Sequence, residues 1–142
     1  MARAGLSLYT DGSAIPNPGP AAIGYAIFDQ LGRVIEKGAR YIGRSTSNEA
    51  EYEALLWGIE KLRERTCGVA RVFTDSELVA KQHTGEYRTK DARMAEYARR
   101  LRANVQLFDS FSLTHVSREN DRIKVVHDLV EEARKKWFKG ER

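Results

Sequence analysis

Two short runs decide the fold: LSLYTDGS, residues 6–13, and VARVFTDS, residues 69–76. Each is a stretch of strand-favouring residues that ends in Thr-Asp and passes into small residues able to open a turn. Asp11 and Asp75 therefore sit at the C-terminal ends of two predicted strands. In open α/β sheets, ligands bind outside such strand ends, where the strand order reverses. Parallel neighbours lie about 4.8 Å apart, so the two carboxylates could reach one ion or one phosphate. Either aspartate alone would suit an Asx-turn; two in matched settings favour a shared site.

The rest of the chain supplies a frame for this pair. The 142 residues predict a single domain, 1–142, with a core of its own. The Pro- and Gly-rich segment SAIPNPGPAAIG, residues 13–24, reads as a loop. Residues 23–29 and 33–43 read as two strands joined by a hairpin at DQLG, residues 29–32. A helix is expected over residues 48–65, a fourth strand over 69–75 and a short helix over 76–83. TGEY, residues 84–87, breaks the chain before an Arg-rich helix over 91–103. A fifth strand over 111–116 and a last helix over 121–139 complete the order. Two hairpin-like connections followed by helical crossovers predict an α/β fold with a five-stranded mixed sheet. Its first three strands are antiparallel, strands one, four and five are parallel, and helices cover both faces.

A third carboxylate joins the pair. Glu51, Leu55, Gly58 and Leu62 follow the i, i+4, i+7, i+11 spacing of a buried helical stripe, so Glu51 heads a core-facing row. Glu53, Glu60, Lys61 and Glu64 lie on faces that suit solvent. A glutamate that points inward must meet a cation or a set of donors. Asn48 with Glu51 three residues on also fits a capping box, which would give Glu51 a purely structural task. Gathered carboxylate oxygens suit Mg²⁺ or Mn²⁺ better than zinc.

Composition narrows the function classes. No apolar run approaches the ~20 residues needed to span a bilayer. The N-terminal residues lack the apolar stretch of a signal peptide, which predicts a cytoplasmic location without membrane association. Cys67 is the only cysteine; it excludes an internal disulfide or a cysteine zinc site and reads as a buried or half-buried small apolar residue. The formal net charge is +4. Arg88, Lys90, Arg93, Arg99, Arg100 and Arg102 crowd one segment, and Arg134, Lys135, Lys136, Lys139 and Arg142 crowd the end. Such clusters suit nucleic acid and equally suit solvated helix faces.

Four motifs, in this order and spacing, resemble the type 1 ribonuclease H family: TDGSAIPNPGPAAIG (10–24), TSNEAEYEAL (46–55), FTDSELV (73–79) and HVSREN (115–120). The similarity runs over about residues 6–133 and is to compact archaeal and bacterial members without a long basic handle or a hybrid-binding domain. It implies a ribonuclease H-like fold and an endonuclease that hydrolyses the RNA strand of an RNA–DNA hybrid, leaving 5′-phosphate and 3′-hydroxyl ends. It implies two divalent ions, Mg²⁺ or Mn²⁺, which in such sites lie about 3.5–4 Å apart, activate water and stabilise the leaving oxygen. Asp11, Glu51 and Asp75 match three of the family's four metal-binding carboxylates. By the same resemblance Gly12, Ser13, Asn17, Thr46, Asn48 and Gln82 are substrate-binding candidates. The asparagine amides offer both a donor and an acceptor to a 2′-hydroxyl, the group that marks RNA. His115 matches a histidine on a mobile loop, where an imidazole suits proton transfer or product departure. A monomer is expected; double-stranded RNA is left open as a second substrate.

The resemblance breaks at KVVHDLVEEA, residues 124–133. The family's last helix carries an Ala-Asp pair and then Leu two residues on, and that Asp is the fourth metal ligand. With Val126 in the place of the Ala and Leu129 in that of the Leu, His127 takes the aspartate's position. The segment from His115 to His127 is two residues longer than the common pattern, so Asp128 is the alternative fourth ligand and Asp121 a weaker one. A site with an altered fourth ligand also admits a second reading, a nucleic-acid-binding module with weakened or lost catalysis.

Overall fold

The computed structural model describes residues 5–86, 88 and 90–136. Tyr87, Lys139 and Arg142 lie outside the described residues. In chain order the elements are β1 (Ser7–Ala14), β2 (Gly19–Phe28), β3 (Val34–Ser45), α1 (Ser47–Arg63), β4 (Val69–Thr74), α2 (Glu77–Thr84), α3 (Ala92–Val105), β5 (Ser110–His115) and α4 (Asp121–Lys136). The five strands form one sheet in the order β3-β2-β1-β4-β5. β1 pairs antiparallel with β2, as does β2 with β3, whereas β1–β4 and β4–β5 are parallel. The mixed sheet is the one expected from the sequence.

β1 and β2 are central, and their side chains are buried on both faces, which explains their near-continuous small and apolar composition. Alternation splits that composition between two half-cores. Leu8, Ile27 and Val72 pack with Leu55, Ile59 and Leu62 of α1. On the opposite face Tyr9, Ala22, Ala26 and Phe28 pack with Ile123, Val126 and Val130 of α4. Two stacked tyrosines, Tyr52 and Tyr97, with centroids 5.4 Å apart, join α1 to α3. The Tyr52 hydroxyl donates to Gln82 Oε1 at 2.5 Å and that of Tyr97 to Glu53 Oε2 at 2.6 Å, so α1, α2 and α3 are tied by the part-buried hydroxyls of two aromatics.

Several expectations are corrected. The segment 13–24 is mostly strand: Ser13 and Ala14 pair with Ala22 and Ala21, and only residues 15–18 form the connection. Its Pro and Gly content signalled a loop, but pairing between two central strands overrides that local preference. The cap of α1 is Thr46, which accepts from Glu49 N while Glu49 Oε1 accepts from Thr46 N; the box is Thr46/Glu49, not Asn48/Glu51. Cys67 is exposed. Glu53 is half-buried by its bond to Tyr97 rather than free in solvent. Arg134 is buried against Glu131 instead of joining a solvated basic face.

Two substitutions separate the two capping readings. Thr46→Ala should lower stability by about 1 kcal/mol, the usual worth of an N-cap. Asn48→Ala, at an exposed first-turn position, should change it by less than about 0.5 kcal/mol. Urea denaturation of both variants measures the difference.

Candidate functional site

The parallel ladder between β1 and β4 ends at the pair Thr10–Thr74, and Asp11 and Asp75 are each the next residue. The echo in the sequence is thus an echo in register. Opposite them, the first turn of α1 crosses β1 at very short range. A Cβ on Gly12 would lie 2.3 Å from the Ala50 carbonyl oxygen, so only glycine admits this approach. The contact places Glu51 beside β1, where its Oε1 accepts from Gly12 N at 3.2 Å. One carboxylate oxygen from each of Asp11, Glu51 and Asp75 falls within 4.8 Å of the others.

On the other side of β1, α4 approaches just as closely. Gly24 is the register partner of Asp11, and a Cβ there would lie 2.8 Å from Val130 Cγ2. With Val126 and Val130 seated over this bare position, His127 between them reaches Asp11, Nδ1 to Oδ2 at 3.2 Å. Its side chain stays 51% exposed. Asp128 is exposed on the same wall, and both line a cleft of about 570 Å³ with the three carboxylates. Asp121 is exposed at the start of α4 and does not line the cleft.

The electrostatics of the trio are unfavourable without a cation. Burial, then the neighbouring Asp75 carboxylate, raises Asp11 to about 6, against a smaller opposing pull from His127. Glu51 is raised well above the usual carboxylate range by burial, then by Asp11 and Asp75. Asp75 Oδ1 is buried with no hydrogen-bond partner. An orphaned carboxylate oxygen beside two others is a donor set that fits a hard divalent cation, which would supply the missing charge. Within the protein, Arg118 Nε approaches Asp75 Oδ2 at 3.7 Å, from a side chain 87% exposed.

The remaining candidates divide. Gly12 and Ser13 line the cleft, and Ser13 Oγ is buried without a partner. Asn17 stands at its rim, its Oδ1 accepting from Ser47 N at 3.0 Å. Thr46 is occupied as the helix cap, Asn48 is exposed in the first turn beside it, and neither lines the cleft. His115 ends β5 opposite Thr74, is exposed, and does not line the cleft. Gln82 lies on α2 with its carbonyl committed to Tyr52, away from the carboxylates. Reading the sequence missed Ser47, Arg118, Lys124 and Glu131, all of which line the cleft. Arg118 lies within a recognised motif, but nothing local marks it as facing Asp75.

Charge burial gives the metal-free protein a pH signature. The unfolded chain ionises Asp11 near its ordinary value of 3.8, the folded chain only near 6. Between these values the folded state holds the extra proton, so this group costs stability as pH rises, and the full cost stands above about pH 6. Asp11→Asn should match wild type near pH 4 and exceed it by on the order of 1–3 kcal/mol at pH 7 in chelator. Urea denaturation across that range, with and without divalent cation, reads the effect; added cation should narrow the gap.

Comparison with known proteins agrees with the geometry. A family model described as reverse transcriptase-like matches residues 9–133. The crystal structure of RNase H1 from the halophilic archaeon Halobacterium salinarum superposes with a TM-score of 0.87 at 34% identity, over 92% of this chain and 98% of that one. LC11-RNase H1, solved in complex with RNA/DNA hybrid, gives 0.86 at 33% identity over 94% and 99%. The ribonuclease HI sequence of H. salinarum is 38% identical over 110 residues, 78% of this chain and 55% of that protein. The chain spans about half the length of the curated ribonuclease H relatives it matches in H. salinarum and in two Campylobacter species. With the shared sheet, the strand-end carboxylates and the helix-borne glutamate in place, the chain belongs to the type 1 ribonuclease H family.

Proposed function

We propose that the protein is an endonuclease that hydrolyses the RNA strand of RNA–DNA hybrids and leaves 5′-phosphate and 3′-hydroxyl ends. The observation that carries this reading is the trio Asp11, Glu51 and Asp75, gathered at matched strand ends and open to a cleft. The solved complex of LC11-RNase H1 with RNA/DNA hybrid supports the substrate class. Asp11, Glu51 and Asp75 would hold two Mg²⁺ or Mn²⁺ ions, with His127 as the fourth ligand and Asp128 its alternative. When bound, such ions supply Lewis-acid activation of the attacking water and stabilise charge on the departing 3′-oxygen.

The chain's own residues prepare that site. Gly12 N–H fixes the Glu51 carboxylate, and His127 fixes that of Asp11. Asn17, bonded to the cleft-lining Ser47, and the exposed Asn48 next to that serine would meet the RNA strand, and Ser13 offers an unpaired hydroxyl. His115 would serve product departure only if its strand end moves toward the cleft. An imidazole at position 127 brings no negative charge and is a softer donor than carboxylate, so Mn²⁺ should support activity at least as well as Mg²⁺. Arg88, Lys90, Arg99, Arg100 and Arg102 supply backbone attraction, and affinity should fall with salt. A single catalytic domain acting as a monomer in the cytoplasm, with double-stranded RNA as a secondary substrate, completes the proposal.

A cleavage assay on labelled hybrid, double-stranded RNA and double-stranded DNA, in Mg²⁺ and in Mn²⁺, tests the reading. Hybrid should be cut and double-stranded DNA spared; binding without cleavage would favour the module instead. Asp75→Asn or Glu51→Gln should lower hybrid cleavage by on the order of a thousandfold, equivalent to about 4 kcal/mol of barrier. His127→Ala should lose more activity than Asp128→Ala in either metal. A dead Asp128 variant beside an untouched His127 variant would overturn the fourth-ligand assignment.

A further inference from the structure

The connection between β1 and β2 carries Asn17 at the rim of the cleft, yet its four residues, 15–18, are exposed. Ile15 N–H donates to Pro20 O at 3.1 Å and closes its base, and Ser47 at the start of α1 holds it from the other side. Ser47 Oγ accepts from Ala14 N at 3.2 Å and donates to Ala14 O at 3.3 Å, closing both backbone groups of the last residue of β1. The backbone N–H of the same serine donates to Asn17 Oδ1 at 3.0 Å. Ser47 is the first residue of α1, so its N–H is one that a helix start leaves without an intrahelical partner. One turn further, Glu51 accepts from Gly12 N. The strand that carries Asp11 and the helix that carries Glu51 are therefore stitched at Gly12, Ala14 and Asn17, and Ser47 makes two of the three stitches.

We propose that Ser47 is a positioning residue: it docks the 15–18 connection on the start of α1 and holds Asn17 Oδ1 toward the helix, leaving its amide Nδ2 to meet the substrate. The proposal rests on the hybrid-cleaving reading and deepens it. With Oδ1 turned to α1 by Ser47 N–H, both Nδ2 hydrogens stay free, so the substrate group this orientation favours is an acceptor: a 2′-hydroxyl oxygen, a base carbonyl or a phosphate oxygen. An undocked connection would leave the amide free to rotate, and binding rather than the chemical step would suffer first.

The test compares wild type, Ser47→Ala, Ser47→Thr, Asn17→Ala and the Ser47→Ala/Asn17→Ala double variant. Amide hydrogen exchange of the segment 13–19 reads docking without any turnover. Ser47→Ala should speed exchange there while the body of α1 stays protected, and Ser47→Thr, which keeps the hydroxyl, should restore protection. On labelled hybrid, Ser47→Ala should raise KM about fivefold, the usual loss for one net hydrogen bond, with a smaller fall in kcat. Asn17→Ala should raise KM similarly, and the double variant should add less than about twofold, since Ser47 acts on binding through the placement of Asn17. Unchanged exchange in both Ser47→Ala and Asn17→Ala, or multiplicative KM effects in the double variant, would overturn the proposal. If Ser47→Ala unfolds, Asn17→Ala, at an exposed position, still reads docking by exchange. A wild type that shows the docked exchange pattern but cuts no hybrid would overturn the functional reading and leave the docking contact standing.

Discussion

Three carboxylates brought within 4.8 Å of one another in a largely buried place are an unfavourable arrangement, and the rest of the molecule is organised around tolerating it. Like charges at this range repel strongly in a low-dielectric interior. Burial and mutual repulsion push Asp11 and Glu51 upward. A fold adopts such a cluster only where other contacts over-determine it. Here those are the parallel ladder that stops one residue short of both aspartates and the helix that delivers the glutamate. The half-cores on either face of the sheet supply the stabilisation that the polar centre does not.

Two bare backbone positions set how tightly this can be done. Gly12 lets α1 lie against β1 on one face, and Gly24, its near neighbour across the β1–β2 ladder, lets α4 lie against the sheet on the other. Each admits one functional side chain to the same end of the same strand, Glu51 from one side and His127 from the other. A methyl group at either glycine would push a helix outward at the point where reach matters, and rigid positioning within fractions of an ångström is what catalytic sites require.

The local parts of this arrangement are legible in the amino-acid sequence. Asp11 and Asp75 stand out because strand, Thr-Asp and small residues recur in both places, and Glu51 because helical periodicity exposes a misplaced charge. What stays hidden depends on distant partners. Two capping patterns overlap at Thr46/Glu49 and Asn48/Glu51, and the choice between them is made by Gly12, whose N–H claims Glu51. The extension of β1 past Asp11 depends on β2 as a partner rather than on its own Pro-adjacent composition. The choice of His127 over Asp128 comes from aligning the helix stripe, while its reach to Asp11 depends on Gly24, more than a hundred residues earlier. Ser47 gives no signal at all, because a serine at a helix start is ordinary until its hydroxyl meets another strand.

The stacked tyrosines between α1 and α3 carry a consequence for how a nucleic acid would be measured. Tyr52 and Tyr97, with their bonds to Gln82 and Glu53, and the ion pair between Arg93 and Glu49, fasten the arginine-bearing helix to the helix that presents Glu51. The surface that would grip phosphates is thereby braced directly against the place where one of them would be cut. The molecule would then act as a caliper with a fixed jaw. The distance from the gripped stretch to the scissile bond would be a constant of the fold, and each cut would fall at the same offset from the footprint, whatever the sequence lying between.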